Sequence, residues 1–297
     1  MTRLELTILL CAVALQQVDA QGASAFRAES RLVRVDVSVQ GARGEIITDL
    51  AQAAFTVYEN GTAQPIALFL QDDIPVSLGL VIDNSGSMRT RRAKVEAAAL
   101  AFARASNPLD EMFVVNFADT AHLDVPFTSD VRVLEDGIAR MDSIGGTALR
   151  DAVAMAVAYL GDHATRDHKI LLVITDGGDN SSAISNDAVR ERAERAGIAL
   201  YAIGVPQADA SKAARRRHEL DDLTERTGGA AIHPATLDEV EPVAIRLAHQ
   251  VRRRYTLAYV PLNQSLDGSY RKIRVVVKAS EPVSVQSRAG YYATLRK

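Results

Sequence analysis

The chain has 297 residues, 47% of them hydrophobic, which is enough to bury a sizeable core and too apolar for a disordered or fibrous protein. A formal net charge of −3 provides no global basic field for gathering nucleic acid or coating an anionic membrane, so partners must be recognised locally. Tryptophan is absent and aromatics are only 5%, which argues against a broad stacking platform for sugars or single-stranded nucleic acid.

In chain order, the first element is "MTRLELTILLCAVALQQVDA". Arg3 precedes an apolar run from Leu6 to Leu15, and Val18-Asp19-Ala20 offers small residues before a cut. Residues 1–20 read as a cleavable secretory signal, with a buried first helix as the alternative. The run is too short for a stable membrane span, so the mature protein is expected to lack a transmembrane segment and to be secreted or held in the periplasm or cell envelope. The only cysteine, Cys11, lies inside this leader, leaving no disulfide in the mature chain.

Residues 31–72 carry β signals. In "RLVRVDVSVQ", Val33, Val35, Val37 and Val39 alternate with Arg34, Asp36 and Ser38, the pattern of a half-buried strand. "GARGEII" reads as a turn with a return strand. "AFTVYENGTAQPIALFLQ" reads as two strands joined at Asn60-Gly61, where both residues tolerate positive φ.

The pattern changes over residues 74–250. "IPVSLGLVID" is nearly continuous apolar sequence, as expected for a strand covered on both faces, and Val95, Ala99 and Phe102 then recur at helical spacing. Further strands are expected at "EMFVVNF", "AHLDVPF", "HKILLVIT", "GIALYAIGV" and "GAAIHP". Helices are expected over Val131 to Met141, Leu149 to Leu160, Asp187 to Ala196, Ala213 to Thr227 and Leu237 to Gln250. Alternation of this kind predicts an α/β, doubly wound, mostly parallel sheet. Residues 255–295 return to β signals: "YTLAYVPL", a turn at Asp267-Gly268, "YRKIRVVVKA", "VSVQSR" and "YYATL". Three or four strands alone leave an apolar face uncovered, so the two ends are expected to pair into one β-sandwich with the α/β domain inserted between them.

Three loops at expected strand ends carry oxygen donors. "DNSGS" presents Asp83, Ser85 and Ser87; "SIGGTALRDAV" presents Thr147 after Gly145-Gly146; "LLVITDGGDN" ends a buried strand at Asp176. In open α/β sheets ligands bind beyond the carboxyl ends of the strands, where such loops converge. Two carboxylates and three hydroxyls form a hard, all-oxygen set that suits Mg²⁺, with Mn²⁺ or Ca²⁺ possible, and disfavours zinc or copper. A coordination position left to water would be open to an outside acid.

This three-part pattern closely resembles the von Willebrand factor type A family, whose D-x-S-x-S, distant Thr and distant Asp form a metal-ion-dependent adhesion site. "DNSGSM", "GGTALRDAV" and "TDGGDN" match those motifs at Asp83, Ser85, Ser87, Thr147 and Asp176. The flanking "FTVYENGTAQPI" and "YTLAYVP...GYY" also resemble secreted bacterial proteins related to that family. The resemblance implies a Rossmann-like fold and a domain that binds a protein or peptide through an Asp or Glu completing the metal's coordination. It makes the loops around Asn84, Gly146 and Gly177 the expected partner-facing surface. In some relatives the last helix moves with metal coordination, and Leu237 to Gln250 is the matching segment.

Other readings stand beside this one. Ser87 could be the N-cap of a helix beginning near Met88, and Asp179 and Asn180, which extend the third loop, could support the ligands from behind but read first as turn or cap residues. Asp151 reads as facing the loop or stabilising a helix's first turn. The basic runs "RRRHELDD" and "RRRYT" read as solvated faces rather than a nucleic-acid patch. A Mg²⁺-dependent phosphohydrolase is the enzyme alternative, against which Ser85 stands where D-x-D would place a second acid, and the six histidines do not cluster near the three loops. A scaffold with a purely structural metal is the third reading.

Overall fold

The computed structural model describes residues 32–71, 73–139, 145–207 and 209–294. The expected leader, residues 1–20, lies outside them.

Eight strands from the two ends of the chain form two antiparallel sheets. One sheet has the order β13 (Ser284–Gln286), β1 (Val33–Gln40), β11 (Tyr255–Tyr259), β4 (Ile66–Leu70). The other has the order β14 (Gly290–Tyr292), β12 (Tyr270–Val277), β2 (Phe55–Glu59), β3 (Thr62–Gln64). Each sheet therefore mixes early and late strands, and their inner faces share one core: Val35, Val37 and Val57 pack with Tyr255, Leu257 and Ile273. Burying a Val, Leu or Ile side chain contributes about 1.5–3 kcal/mol, so neither end can leave without exposing the other. A polar link lies within this core. Glu59 accepts hydrogen bonds from the Tyr259 and Tyr291 hydroxyls at 2.7 and 2.9 Å, and pairs with the buried Arg271 guanidinium at 3.2 Å.

Two local expectations change. The hairpin turns at Asn60 (φ 47°) and Gly61 (φ 86°) as expected, but its return strand breaks at Pro65. Proline has no N–H for a sheet ladder, and the chain crosses there from one sheet to the other. The "GARGEII" return strand reduces to a single bridge between Gln40 and Ile46.

Between these ends lies a six-stranded sheet in the order β10 (Ala231–Ile232), β9 (Ile198–Gly204), β8 (His168–Thr175), β5 (Val76–Asp83), β6 (Glu111–Phe117), β7 (Ala121–Thr128). All neighbours are parallel except the edge pair β6 and β7. Helices α1 (Arg92–Ala105), α2 (Val131–Ala139) and α6 (Val240–Gln250) cover one face, meeting Leu78, Leu80 and Ile82. Helices α3 (Leu149–His163), α4 (Asn186–Ala196) and α5 (Ala210–Glu225) cover the other, meeting Val81, Val173 and Ala202. Every residue of β5 is buried, which explains its unbroken apolar run. The chain leaves β5 for β6 on one side and later enters β8 on the other, so the switch in strand order opens a crevice at the carboxyl end of β5.

The run "RRRYT", expected on a solvated face, is largely internal. Arg252 pairs with Asp73 at 3.5 Å, and the buried Arg254 stacks over Tyr201 with its guanidinium carbon 5.3 Å from the ring centre. Arg254 lies in the same buried polar junction as Asp36 of β1 and His168 at the start of β8. His168 Nδ1 is 3.4 Å from an Asp36 oxygen. Burial pushes the His168 imidazole down to about 4, against the opposing pull of Asp36.

A histidine with a lowered folded pKa stabilises fully above its unfolded value and loses that contribution as pH falls toward the folded one. Between pH 6.5 and about 4 the unfolded chain binds the proton and the folded chain does not, a loss on the order of 3 kcal/mol from this residue. Urea unfolding of the wild type and His168→Gln across this range checks it: the gap between the two should narrow as the solution is acidified.

Candidate metal centre

The carboxyl ends of β5 and β8 are neighbours. Ile82 pairs with Ile174, which sets Asp83 beside Thr175 and one residue short of Asp176. Asp83 is buried, as is Asp176. One Asp83 oxygen accepts from the Ser85 backbone N–H at 2.9 Å and the other from the Thr175 hydroxyl at 2.6 Å. Burial nevertheless raises the Asp83 carboxyl to about 6; these hydrogen bonds pull it down and the Asp176 charge adds to the rise.

After Asp83 the chain makes a single 3-10 turn, Gly86–Met88, before α1 starts at Arg92. Ser87 is therefore not the helix N-cap; that position falls to Arg91, which makes no side-chain cap bond. The Ser87 hydroxyl instead lies 3.1 Å from the hydroxyl of the buried Ser85. The first loop is tied to the second by the Gly86 N–H, which donates to the Gly145 carbonyl at 3.1 Å. Gly145 adopts φ 93°, a conformation that side chains resist, and thereby delivers Thr147 to a buried position ahead of α3.

Asp179 and Asn180 do more than shape a turn. Asn180 accepts the Thr147 N–H through its side chain at 2.8 Å and donates its own N–H to the Thr147 carbonyl at 3.0 Å. Asp179 accepts the Arg150 N–H at 2.9 Å and pairs with its guanidinium at 3.2 Å. Asp151 accepts the N–H groups of Ala183 and Ile184, both at 3.1 Å, and so faces the third loop. These bonds fix the second loop against the third without using the Thr147 hydroxyl.

The three loops are thus stitched together with Asp83, Ser85, Ser87, Thr147 and Asp176 among them. Does the set suit a hard divalent cation? The donors are all oxygen, and among the described residues no cluster of three His, Cys, Asp or Glu side chains offers a softer or more acidic rival. Asp176 Oδ2 is buried without a hydrogen-bond partner, an arrangement that costs free energy unless another charge meets it. The set fits.

Two charges near Asp176 were hidden in the sequence. Arg216 of α5 places a guanidinium nitrogen 3.0 Å from Asp176 Oδ1, and Arg91 places one 3.7 Å from Oδ2. The run "RRRHELDD" is therefore not solely a solvated face. Arg216 also lines a cleft of about 240 Å³ beside Thr147, together with Lys212 and Arg215. Exposure is uneven within the loops expected to face a partner. Asn84 is buried and bonds inward to the Asn116 side chain at 3.2 Å, and Gly177 is buried too; Gly146 is partly exposed. The exposed rim is formed by Ser87, Asp119, Gly145 and Asn180. His233 shares a cleft of about 20 Å³ with Asp176, closer than sequence suggested, but its ring pairs with Asp221 at 2.8 Å.

Residues 78–178 match the family model of the von Willebrand factor type A domain. An uncharacterized protein of Borreliella burgdorferi is 32% identical over 99 residues, covering 32% of this chain and 29% of that protein's length. Among solved structures, a von Willebrand factor type A protein from Catenulispora acidiphila superimposes with a TM-score of 0.54 at 13% identity, covering 91% of this chain and 75% of that one. The pilus adhesin SpaC from Lactobacillus rhamnosus GG superimposes with a TM-score of 0.51 at 12% identity, covering 86% and 48%. At these identities the likeness is one of fold.

Thr175 is the residue whose loss the site should feel without any change of charge. Thr175→Val keeps the shape but removes the 2.6 Å bond to Asp83 and the acceptor for the Gly177 N–H at 3.0 Å. Urea unfolding in EDTA at mildly alkaline pH should show destabilisation of about 2 kcal/mol. A change within error would mean that the bond does not hold the carboxylate.

Proposed function

We propose that this chain, which carries a von Willebrand factor type A domain across residues 78–178, is a protein-interaction module of the bacterial cell envelope or exterior whose partner binding depends on a divalent cation. The observation that carries the reading is that two buried carboxylates, the adjacent Ser85 and Ser87 hydroxyls and the buried Thr147 lie on stitched loops in the switch-point crevice, with one Asp176 oxygen lacking a hydrogen-bond partner. Ser85, Ser87 and Thr147 would hold the cation directly, with Asp83 and Asp176 direct or through water. Mg²⁺ suits such a set best, with Mn²⁺ or Ca²⁺ as substitutes. When bound, the cation supplies a positive position to which an Asp or Glu of a partner can attach.

The chain's own residues set the rest of the behaviour. Thr175 and the Ser85 N–H hold Asp83 in place, Asn180 holds Thr147, and the exposed Ser87 marks the side open to solvent. The SpaC likeness is to a protein described as a pilus adhesin, which supports binding rather than catalysis for this architecture. Among the described residues no helix is long and apolar enough to cross a membrane.

The test is capture of partners from an envelope extract by the full-length protein, in Mg²⁺, in EDTA, and with Asp83→Ala in Mg²⁺. Capture should be lost in the second and third conditions. Equal capture in all three would defeat metal-dependent binding, and metal-dependent stability without metal-dependent capture would favour the scaffold reading.

A further inference from the structure

Asp176 is met by a guanidinium from a helix that the metal motif does not include. Arg216 Nη1 lies 3.0 Å from Asp176 Oδ1, and the carboxylate it meets has a side chain only 1% exposed. A buried carboxylate beside a second one is unfavourable without a compensating cation, and Arg216 supplies one from within the chain. Two glycines make room for it. A Cβ on Gly177 would sit 3.0 Å from Arg216 Cβ, and one on Gly178 would sit 3.1 Å from its Nη2. Gly177 also has φ 78°, which only glycine adopts freely. The loop that presents Asp176 is therefore shaped for the arginine as well as for the acid.

Resting on the metal-dependent reading above, we infer that Arg216 is the resident counter-ion of this site and competes with the divalent cation for the charge of Asp176. The protein keeps its loops assembled without metal because Arg216 neutralises Asp176. The same contact raises the cation concentration needed to load the site. The sign of the effect follows from what remains when Arg216 is removed. Asp176 Oδ1 keeps the Gly178 N–H at 3.1 Å, and the Asp176 carbonyl keeps the Gln207 side-chain amide at 2.8 Å, so the carboxylate stays oriented. For the incoming cation, what is lost is the repulsion from the guanidinium; for the metal-free protein, what is lost is the counter-ion of Asp176. Arg91, at 3.7 Å from Oδ2, is the weaker contributor because it lies beyond hydrogen-bond distance.

The test is a Mn²⁺ titration by calorimetry near neutral pH, with thermal unfolding in EDTA and in Mn²⁺, on the wild type, Arg216→Gln, Arg216→Lys and Asp83→Ala. Arg216→Gln should bind Mn²⁺ at least about tenfold more tightly than the wild type and melt lower in EDTA, with Mn²⁺ restoring its stability. Arg216→Lys keeps the charge and should stay close to the wild type in affinity. Unchanged or weaker Mn²⁺ binding by Arg216→Gln, with Asp83→Ala abolishing binding, overturns the counter-ion role and leaves the metal site standing. No saturable binding by wild type or Arg216→Gln, or binding indifferent to Asp83→Ala, overturns both. Should Arg216→Gln fail to fold in EDTA, refolding it in Mn²⁺ decides: recovery supports the proposal, and no recovery contradicts it.

Discussion

Two carboxylates of like sign, Asp83 and Asp176, are held below the surface at the ends of adjacent strands. A lone buried carboxylate is costly, and a neighbouring one makes matters worse, which is why burial and the Asp176 charge both act to raise the Asp83 carboxyl. Much of the surrounding structure answers that constraint. Thr175 and the Ser85 N–H donate to Asp83, the Gly178 N–H and Arg216 meet Asp176, and the glycines at 145, 177 and 178 let the backbone and the arginine approach. What these contacts leave over is one Asp176 oxygen without a hydrogen-bond partner, approached only by the Arg91 guanidinium at 3.7 Å, and a pair of adjacent serine hydroxyls. In the function proposed above, a divalent cation meets this remainder.

The fold supplies the rigidity this arrangement needs. β5 is buried along its whole length between helices, so Asp83 rides on an element that cannot shift without opening both hydrophobic faces of the sheet. The β-sandwich closes the chain around the domain by pairing its two ends, with Val33 to Val37 running antiparallel to Tyr259 to Tyr255. Since β11 follows α6 after only a few residues, the last helix is tethered to the sandwich at its C-terminal end. Any movement of α6 would have to pass through that connection.

Much of this was legible in the sequence because its signals are local. A fully buried strand reads as an apolar run, and a loop donor set reads as Asp, Ser and Ser at alternate positions next to glycine. The Asn60-Gly61 turn and the pairing of the two β ends were visible for the same kind of reason: turn chemistry in one case, an uncovered apolar face in the other. What stayed hidden depended on side-chain direction across distant elements. Arg216 sits in a run of three arginines that looks solvated, and only the placement of α5 over Gly177 and Gly178 turns one of them toward Asp176. Asn180 looks like a turn residue until its side chain is seen to hold Thr147. Pro65 is the exception, a local signal of the break: a residue without an N–H marks the point where a strand leaves its sheet.

The claim on which the account rests is that these oxygens hold a divalent cation in the switch-point crevice. The most direct measurement is anomalous diffraction from crystals of the protein grown or soaked with Mn²⁺. The account predicts a strong anomalous peak enclosed by Asp83, Ser85, Ser87, Thr147 and Asp176. A crevice without such a peak, in crystals that show bound Mn²⁺ elsewhere, would contradict it.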